Sequence, residues 1–234
     1  MKKKIVIMMM LLLAVVGAKA QEVENPVGRF SVIPRIGVTL ANWSGLTLET
    51  LDGTSLESKY QAGFMGGADV EYRINKSLGV TLGAYYARQG MCFPDCELTE
   101  NAEKGEYTGI KNHHVNLDYI QVPLMLKAYL VEGLSVNAGV QVGFLCGDGK
   151  VKREETELQK DKNGSITYKD MQETEALWPA KKVDVAIPLG LSYEYMNVIL
   201  DARYNVSLTK ASKGDWDNCK NKALTFTVGY RFTL

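Results

Sequence analysis

From Gln21 onward, apolar residues recur at every second position, the spacing that sends successive side chains to opposite faces of an extended strand. In Ser58–Ile74, one face carries Tyr60, Ala62, Phe64, Gly66, Ala68, Val70, Tyr72 and Ile74. The other carries Gln61, Gly63, Met65, Gly67, Asp69, Glu71 and Arg73. The same alternation predicts strands from Leu78 to Tyr86, Leu134 to Phe144, Val183 to Tyr195, Val198 to Leu208 and Leu224 to Leu234. Two more are less regular. Ser31–Trp43 contains Pro34, which belongs at a strand start or an irregularity because it donates no hydrogen bond. His113–Leu130 places Ile120, Val122, Leu124, Leu126 and Ala128 on one face but Val115 and Leu117 on the other. That change of parity predicts either a bulge near Asp118 or a move to a protein-covered face. Eight strands result.

Their connections alternate in length. Asn75–Ser77, Val131–Gly133 and Met196–Asn197 are short turns, whereas Ser44–Glu57, Gly90–Asn112, Cys146–Ala180 and Thr209–Asn221 are long and polar. An up-and-down barrel has this asymmetry when one rim faces a cramped compartment and the other faces outside. Within the longest connection, Asp161-Lys162-Asn163-Gly164-Ser165 contains an Asn-Gly pair suited to a tight turn. A hairpin with legs Glu155–Lys160 and Ile166–Met171 is expected. The same stretch lacks the Gly position and terminal Glu of a calcium loop.

A closed eight-stranded sheet is either a soluble carrier with an apolar interior or a membrane barrel with an apolar exterior. The charges favour the second. Arg35, Asp69, Glu71, Arg73, Lys127, Asp184, Glu194, Asp201, Arg203 and Arg231 lie on the polar faces, five of each sign and mixed with Gly. On the apolar faces Arg88, near a strand end, is the visible exception. The expectation is a narrow bore filled by mutually paired charges, since an unpaired buried charge is costly. Tyr72, Tyr193, Tyr195, Tyr230 and Phe232 near the short turns, and Tyr60, Tyr86 and Tyr204 nearer the long connections, would form two interfacial girdles.

Composition agrees with export. Lys2, Lys3 and Lys4 precede an apolar run from Ile5 to Ala18 that ends in Ala18-Lys19-Ala20, the pattern of a signal peptide cleaved after Ala20. Fourteen residues of helix rise about 21 Å, too little for a membrane span. Removing residues 1–20 takes away four lysines and no acid, so 27 bases become 23 against 27 acids, net −4. A nucleic-acid partner is disfavoured by that balance. The expected organisation is a signal peptide at 1–20, a short periplasmic segment at 21–30 and a barrel at 31–234, with both termini in the periplasm.

Candidate chemistry is sparse. Cys92, Cys96, Cys146 and Cys219 all fall in the long connections, an even number in an exported chain, which suggests disulfides; of the three possible connectivities, Cys92 with Cys96 and Cys146 with Cys219 is the favoured one. Their spacing does not resemble a zinc pattern, and no metal or cofactor is expected. His113 and His114 are the only histidines. Neighbours on a strand point to opposite faces, so they do not share one metal, and no recognisable nucleophile lies nearby. The expectation is a protein that is not an enzyme, the alternative being a membrane-embedded enzyme dependent on one of these histidines.

Phe226, Val228, Tyr230, Phe232 and Leu234 alternate to the last residue and resemble the recognition signal of outer-membrane barrels, with Leu where Phe is usual. Leu117–Lys127 (LDYIQVPLMLK) and Asp201–Thr209 (DARYNVSLT) resemble the PorT-like outer-membrane β-barrel family of the Bacteroidota, whose members are often called porin-like. The resemblance implies an eight-stranded barrel and partnership with outer-membrane lipid and the insertion machinery. The four outer connections then become the surface for an extracellular or secretion partner, and the expected role of this monomer is interaction, adhesion or envelope integrity. Narrow-pore diffusion and an accessory part in protein secretion are the alternatives.

Overall fold

The computed structural model describes residues 27–49, 55–101, 106–160, 166–168, 172–178, 180–212 and 219–234. The expected signal peptide and the Asn163-Gly164 turn lie outside the described residues. In chain order the strands are β1 (Phe30–Ser44), β2 (Thr47–Glu49), β3 (Ser55–Glu57), β4 (Lys59–Arg73) and β5 (Leu78–Cys92). Then come β6 (Cys96–Asn101), β7 (Glu106–Val131), β8 (Leu134–Leu145), β9 (Gly149–Lys160) and β10 (Ile166–Tyr168). The last are β11 (Gln172–Trp178), β12 (Val183–Tyr195), β13 (Val198–Ser207), β14 (Lys220–Tyr230) and β15 (Phe232–Thr233).

Eight of these close a ring: β1 pairs with β4, β4 with β5, β5 with β7, β7 with β8, β8 with β12, β12 with β13, β13 with β14, and β14 with β1, all antiparallel. The all-β, eight-stranded up-and-down barrel is therefore the observed architecture. Closure removes the open edges that a sheet would otherwise expose. Short turns at 75–77, 131–133 and 196–197 gather at one end, where Met196 and Asn197 take the positive φ values of a tight hairpin turn. Pro34 sits opposite the point at which the last strand divides into β14 and β15, the irregularity that its missing N–H demands.

The barrel is greasy outside. Ile36, Val38, Phe64, Leu82, Leu124, Val140, Leu189, Phe226 and Val228 all point outward and are exposed. Arg35, Asp69, Glu71, Lys127, Glu194, Asp201, Arg203 and Arg231 point inward and are buried. That polarity is the membrane arrangement; a soluble carrier would show its reverse. The expected girdle residues Tyr60, Tyr72, Tyr86, Tyr204, Tyr230 and Phe232 are exposed, and Tyr193 and Tyr195 are half-buried on the same outer flank.

The long connections are largely strand. β5 runs on to Cys92 and β7 begins at Glu106, so β6, β7, β9, β10 and β11 make a sheet that rises above the barrel. Leu158–Lys160 pairs with Ile166–Tyr168, the base of the hairpin that the Asn-Gly pair predicts.

On the β5 side the register runs unbroken past Asp118, from Tyr85–Gln121 to Cys92–His114, whereas on the other side it steps by two between Tyr119–Leu145 and Asn116–Lys150, where β8 gives way to β9. Val115 and Leu117 are buried inside the ring, on the same face as Lys127, so the protein-covered alternative holds. What changes at Asp118 is the surroundings. Below it the outer flank meets lipid and carries Ile120, Leu124 and Leu126; above it the flank meets water and carries Asp118, Asn116 and His114. The inner face changes in the opposite sense. β1 does the same between Leu40 and Asn42, β5 between Tyr86 and Arg88, and β14 between Leu224 and Lys222.

Candidate functional site

The bore contains two zones. In the inner half, nearer the short turns, Arg231 donates through Nε to Glu194 at 2.6 Å and through Nη1 to Glu71 at 3.1 Å. Lys127 Nζ reaches the other Glu71 oxygen at 3.3 Å, and the Tyr129 hydroxyl donates to Glu71 as well. One layer higher, Arg35 Nε lies 2.8 Å from Asp69, and Arg203 bridges Asp69 at 3.2 Å and Asp201 at 2.7 Å. Ser192 donates to Asp201, and Asn137 donates to Ser192 at 2.8 Å. The four cations and four carboxylates are each no more than 5% exposed. Each charge thus has at least one opposite neighbour within 4 Å, the condition under which a buried ion is tolerated.

Strand geometry explains the convergence. Arg35 is on β1, Asp69 and Glu71 on β4, Lys127 on β7, Glu194 on β12, Asp201 and Arg203 on β13, and Arg231 between β14 and β15. All occupy inward positions of an eight-stranded ring, whose interior is narrow enough for side chains from opposite walls to meet. The two remaining predicted charges stand apart from this cluster. Arg73 lies at the inner mouth, donates to the carbonyls of Asn75 and Lys76, and stacks 3.7 Å over the Tyr129 ring. Asp184 lies toward the outer end and accepts from Ser207 and Thr209. Sequence reasoning missed Tyr129, Ser192 and Asn137; their signal was parity, since Tyr129 shares the inner face with Lys127 two residues away.

The outer zone has a different filling from the paired charges. Trp43, Leu46, Met91, Phe93, Val115, Leu117, Tyr119, Leu145, Val151, Ala180, Ala211 and Cys219 form one buried apolar cluster. They come from residues in or beside all four long connections, which are therefore packed onto one cap over the bore. Its physical cause is the inversion at the membrane edge: once the outer flank meets water, the inner face is the only dry place for apolar side chains. His113 belongs to this cap. It is buried, its ring lies 5.1 Å from that of Phe93, and burial followed by the Arg153 charge pushes its pKa below the ordinary histidine value.

The expected disulfides are absent: all four cysteines are free thiols. Cys92 is paired opposite His114 and Cys96 opposite Ile110, four residues apart along β7. Four residues of strand span about 13 Å, well beyond the reach of a disulfide. Cys146 is exposed and follows the inward Leu145, whereas Cys219 is buried in the cap. Cys146 and Cys219 therefore face opposite sides of the wall. Among the described residues, no group of three or more His, Cys, Asp or Glu is placed to hold a metal.

Residues 19–213 match the outer membrane protein beta-barrel domain family model. The chain belongs to this family, and the outer membrane is where such a barrel resides. Among solved structures it is similar to Ail, the attachment invasion locus protein of Yersinia pestis, in complex with the heparin analogue sucrose octasulfate. The identity is 20% over 88% of this chain and 100% of that one, with a TM-score of 0.45. It is also similar to Neisserial surface protein A, at 16% identity over 87% of this chain and 97% of that one, with a TM-score of 0.43. No curated protein matches the sequence.

Proposed function

We propose that this barrel conducts no solute and acts through the sheet above its outer rim, in adhesion, envelope integrity or contact with another surface protein. The observation that carries this reading is the double filling of the bore, by paired ions in the inner half and by an apolar cap in the outer half. A route through the barrel would have to desolvate permeants across one zone and separate ion pairs in the other. The surface left for recognition is the sheet of β6, β7, β9, β10 and β11. The proposed role is not enzymatic: His113 is buried in the cap against the Phe93 ring and His114 lies on the outer flank, so the two histidines face opposite sides of the wall. The reading includes export with cleavage after Ala20 and function as a monomer inserted by the outer-membrane assembly machinery. Kinship with the PorT-like barrels is supported by the two motif stretches. Leu117–Lys127 supplies cap and ion-pair residues, and Asp201–Thr209 supplies Asp201 and Arg203.

Planar-bilayer recording of the refolded protein tests the sealed bore, with no steady open level expected. A stable, large conductance overturns it. Replacing residues 155–172 with a short Gly-Ser turn tests the outer sheet. The shortened barrel should retain heat-modifiable mobility on a gel while cells lose surface attachment or envelope integrity; unchanged cells would refute the assignment.

A further inference from the structure

The outer flank of the barrel carries a crevice that the filled bore does not involve. β4 and β5 keep one register from Arg73–Gly79 to Met65–Ala87 and another at Tyr60–Met91 and Lys59–Cys92, so a bulge interrupts their ladder. Gly63 and Gly90 allow it. A β-carbon on Gly63 would strike the Arg88 carbonyl, to which Thr39 donates at 2.6 Å, and Gly90 holds φ at 145°. Bulges of this kind re-aim side chains and recur beside functional sites.

The bulge leaves a dent of 590 Å³ lined by Val38, Ala62, Gly63, Phe64, Tyr86 and Arg88. A second recess of 470 Å³ shares Ala62 and opens above it, between Tyr60, Cys92, His114, Asn116 and Lys152, with Arg153, Glu154 and Glu173 at its far end. Arg88 lies ten residues beyond Leu78 at the inner turn. At about 3.3 Å per residue and a tilt near 40°, this is roughly 25 Å, the outer edge of the apolar band. The dent therefore faces hydrocarbon and the recess faces headgroups.

Charge follows the same division. Pairing registers align Lys59, Cys92, His114, Lys152 and Glu175 in one row across the outer flank, with Asn116 and Lys150 below it and Arg88 opposite Asp118 below that. Arg88 binds Asp118 at 2.8 Å and Lys152 binds Glu175 at 2.7 Å. Lys59 and Lys150 have no ion pair among the described residues. Lys59, Arg88, Lys150 and Lys152 face Asp118 and Glu175 at the junction, and with Arg153, Glu154 and Glu173 at the far end of the recess the crevice has five cations against four acids, net +1.

We propose that this crevice binds a phosphorylated, acylated lipid of the outer leaflet. One acyl chain lies in the dent between Val38, Phe64 and Tyr86, and the phosphate sits at the junction against Arg88, Lys150 and Lys152. Only a membrane lipid presents an acyl chain and a phosphate at these two depths together. This inference stands independently of what the outer sheet recognises.

The test uses the refolded barrel in phosphatidylcholine nanodiscs, with or without a minor fraction of phosphatidic acid, which carries two acyl chains and a phosphate monoester. Maleimide labelling is followed by mass spectrometry at Cys92, which lines the recess, and at Cys146, an exposed reference. Phosphatidic acid should slow Cys92 labelling and leave Cys146 unchanged. Lys150→Glu/Lys152→Glu should weaken that protection by about thirtyfold, since it removes two cations that each contribute about 1 kcal/mol near an anionic headgroup. Native mass spectrometry of the same samples should show phosphatidic acid retained over phosphatidylcholine, and gives the answer if Cys92 reacts too slowly to follow. Heat-modifiable mobility verifies that the variant folds. Equal labelling and equal retention with both lipids overturn the proposal. Protection by inorganic phosphate alone overturns the membrane source, and protection that survives the double substitution overturns the phosphate assignment.

Discussion

The inner and outer halves of the bore are filled by opposite chemistries on the same strands. β7 supplies Lys127 to the ionic cluster and, ten and twelve residues further along, Leu117 and Val115 to the apolar cap. β1 supplies Arg35 below and Trp43 above. The side-chain direction is constant along each strand, so the difference comes from what lies outside the wall. Where the outside is lipid, polar side chains have only the bore to enter, and they must pair there. Where the outside is water, the bore becomes the dry side and is filled by apolar groups.

This contrast predicts different responses to loss. Arg231→Met leaves Glu71 and Glu194 without their guanidinium, and removal of one partner of a buried ion pair costs about 3–5 kcal/mol. The expected outcome is a marked fall in the urea midpoint of micelle-folded protein, or failure to show heat-modifiable mobility. A midpoint within experimental error of the parent would show that the inner ions are not energetically coupled.

Trp43→Ala removes a fully buried side chain from the cap, and such truncations cost about 3 kcal/mol or somewhat more. The barrel should still fold and remain silent in a bilayer, because the ionic zone is intact. A new steady conductance in this variant would assign the seal to the cap alone.

Acid should act on the cap first. His113 is held neutral in the fold, with a pKa below 6.5. As pH falls through 6.5, the unfolded chain takes up a proton that the folded chain resists, so stability is lost below that pH and is fully present above it. Tryptophan fluorescence should therefore report loosening on acidification, and His113→Phe should flatten the dependence. An unchanged pH profile in that variant would remove His113 as the cause.

The smallest effect belongs to the outer flank. Arg88→Gln breaks an ion pair whose side chains are 49% and 31% exposed, and exposed pairs contribute about 1 kcal/mol or less. The urea midpoint should barely move. A loss as large as that of Arg231→Met would mean that Arg88 is buried in a way the fold does not display.

Much of this molecule was legible from alternation alone. The eight strands and the division of each into an apolar and a charged face follow from a period of two, because a strand assigns faces by parity whatever it packs against; the inward direction of the charged face came from charge content, and the short turns from the connection lengths. Arg35, Asp69, Glu71, Lys127, Glu194, Asp201, Arg203 and Arg231 were readable as a set for that reason. Parity does not say which groups on different strands lie at the same height. The partnership of Arg231 with Glu71, 160 residues away, therefore required closure of the ring. Nor does it say where water replaces lipid, so Val115 and Leu117 read as a break in pattern although their direction never changes. Disulfide partners failed on distance: sequence spacing put Cys92 near Cys96, but an extended chain kept them apart. The amino-acid order determined faces, strand number and orientation, since these are local consequences of an extended backbone. Register, closure and the boundary between lipid and water decided which ions meet, which apolar groups form the cap and where the wall opens into a crevice, because each depends on residues brought together from distant strands.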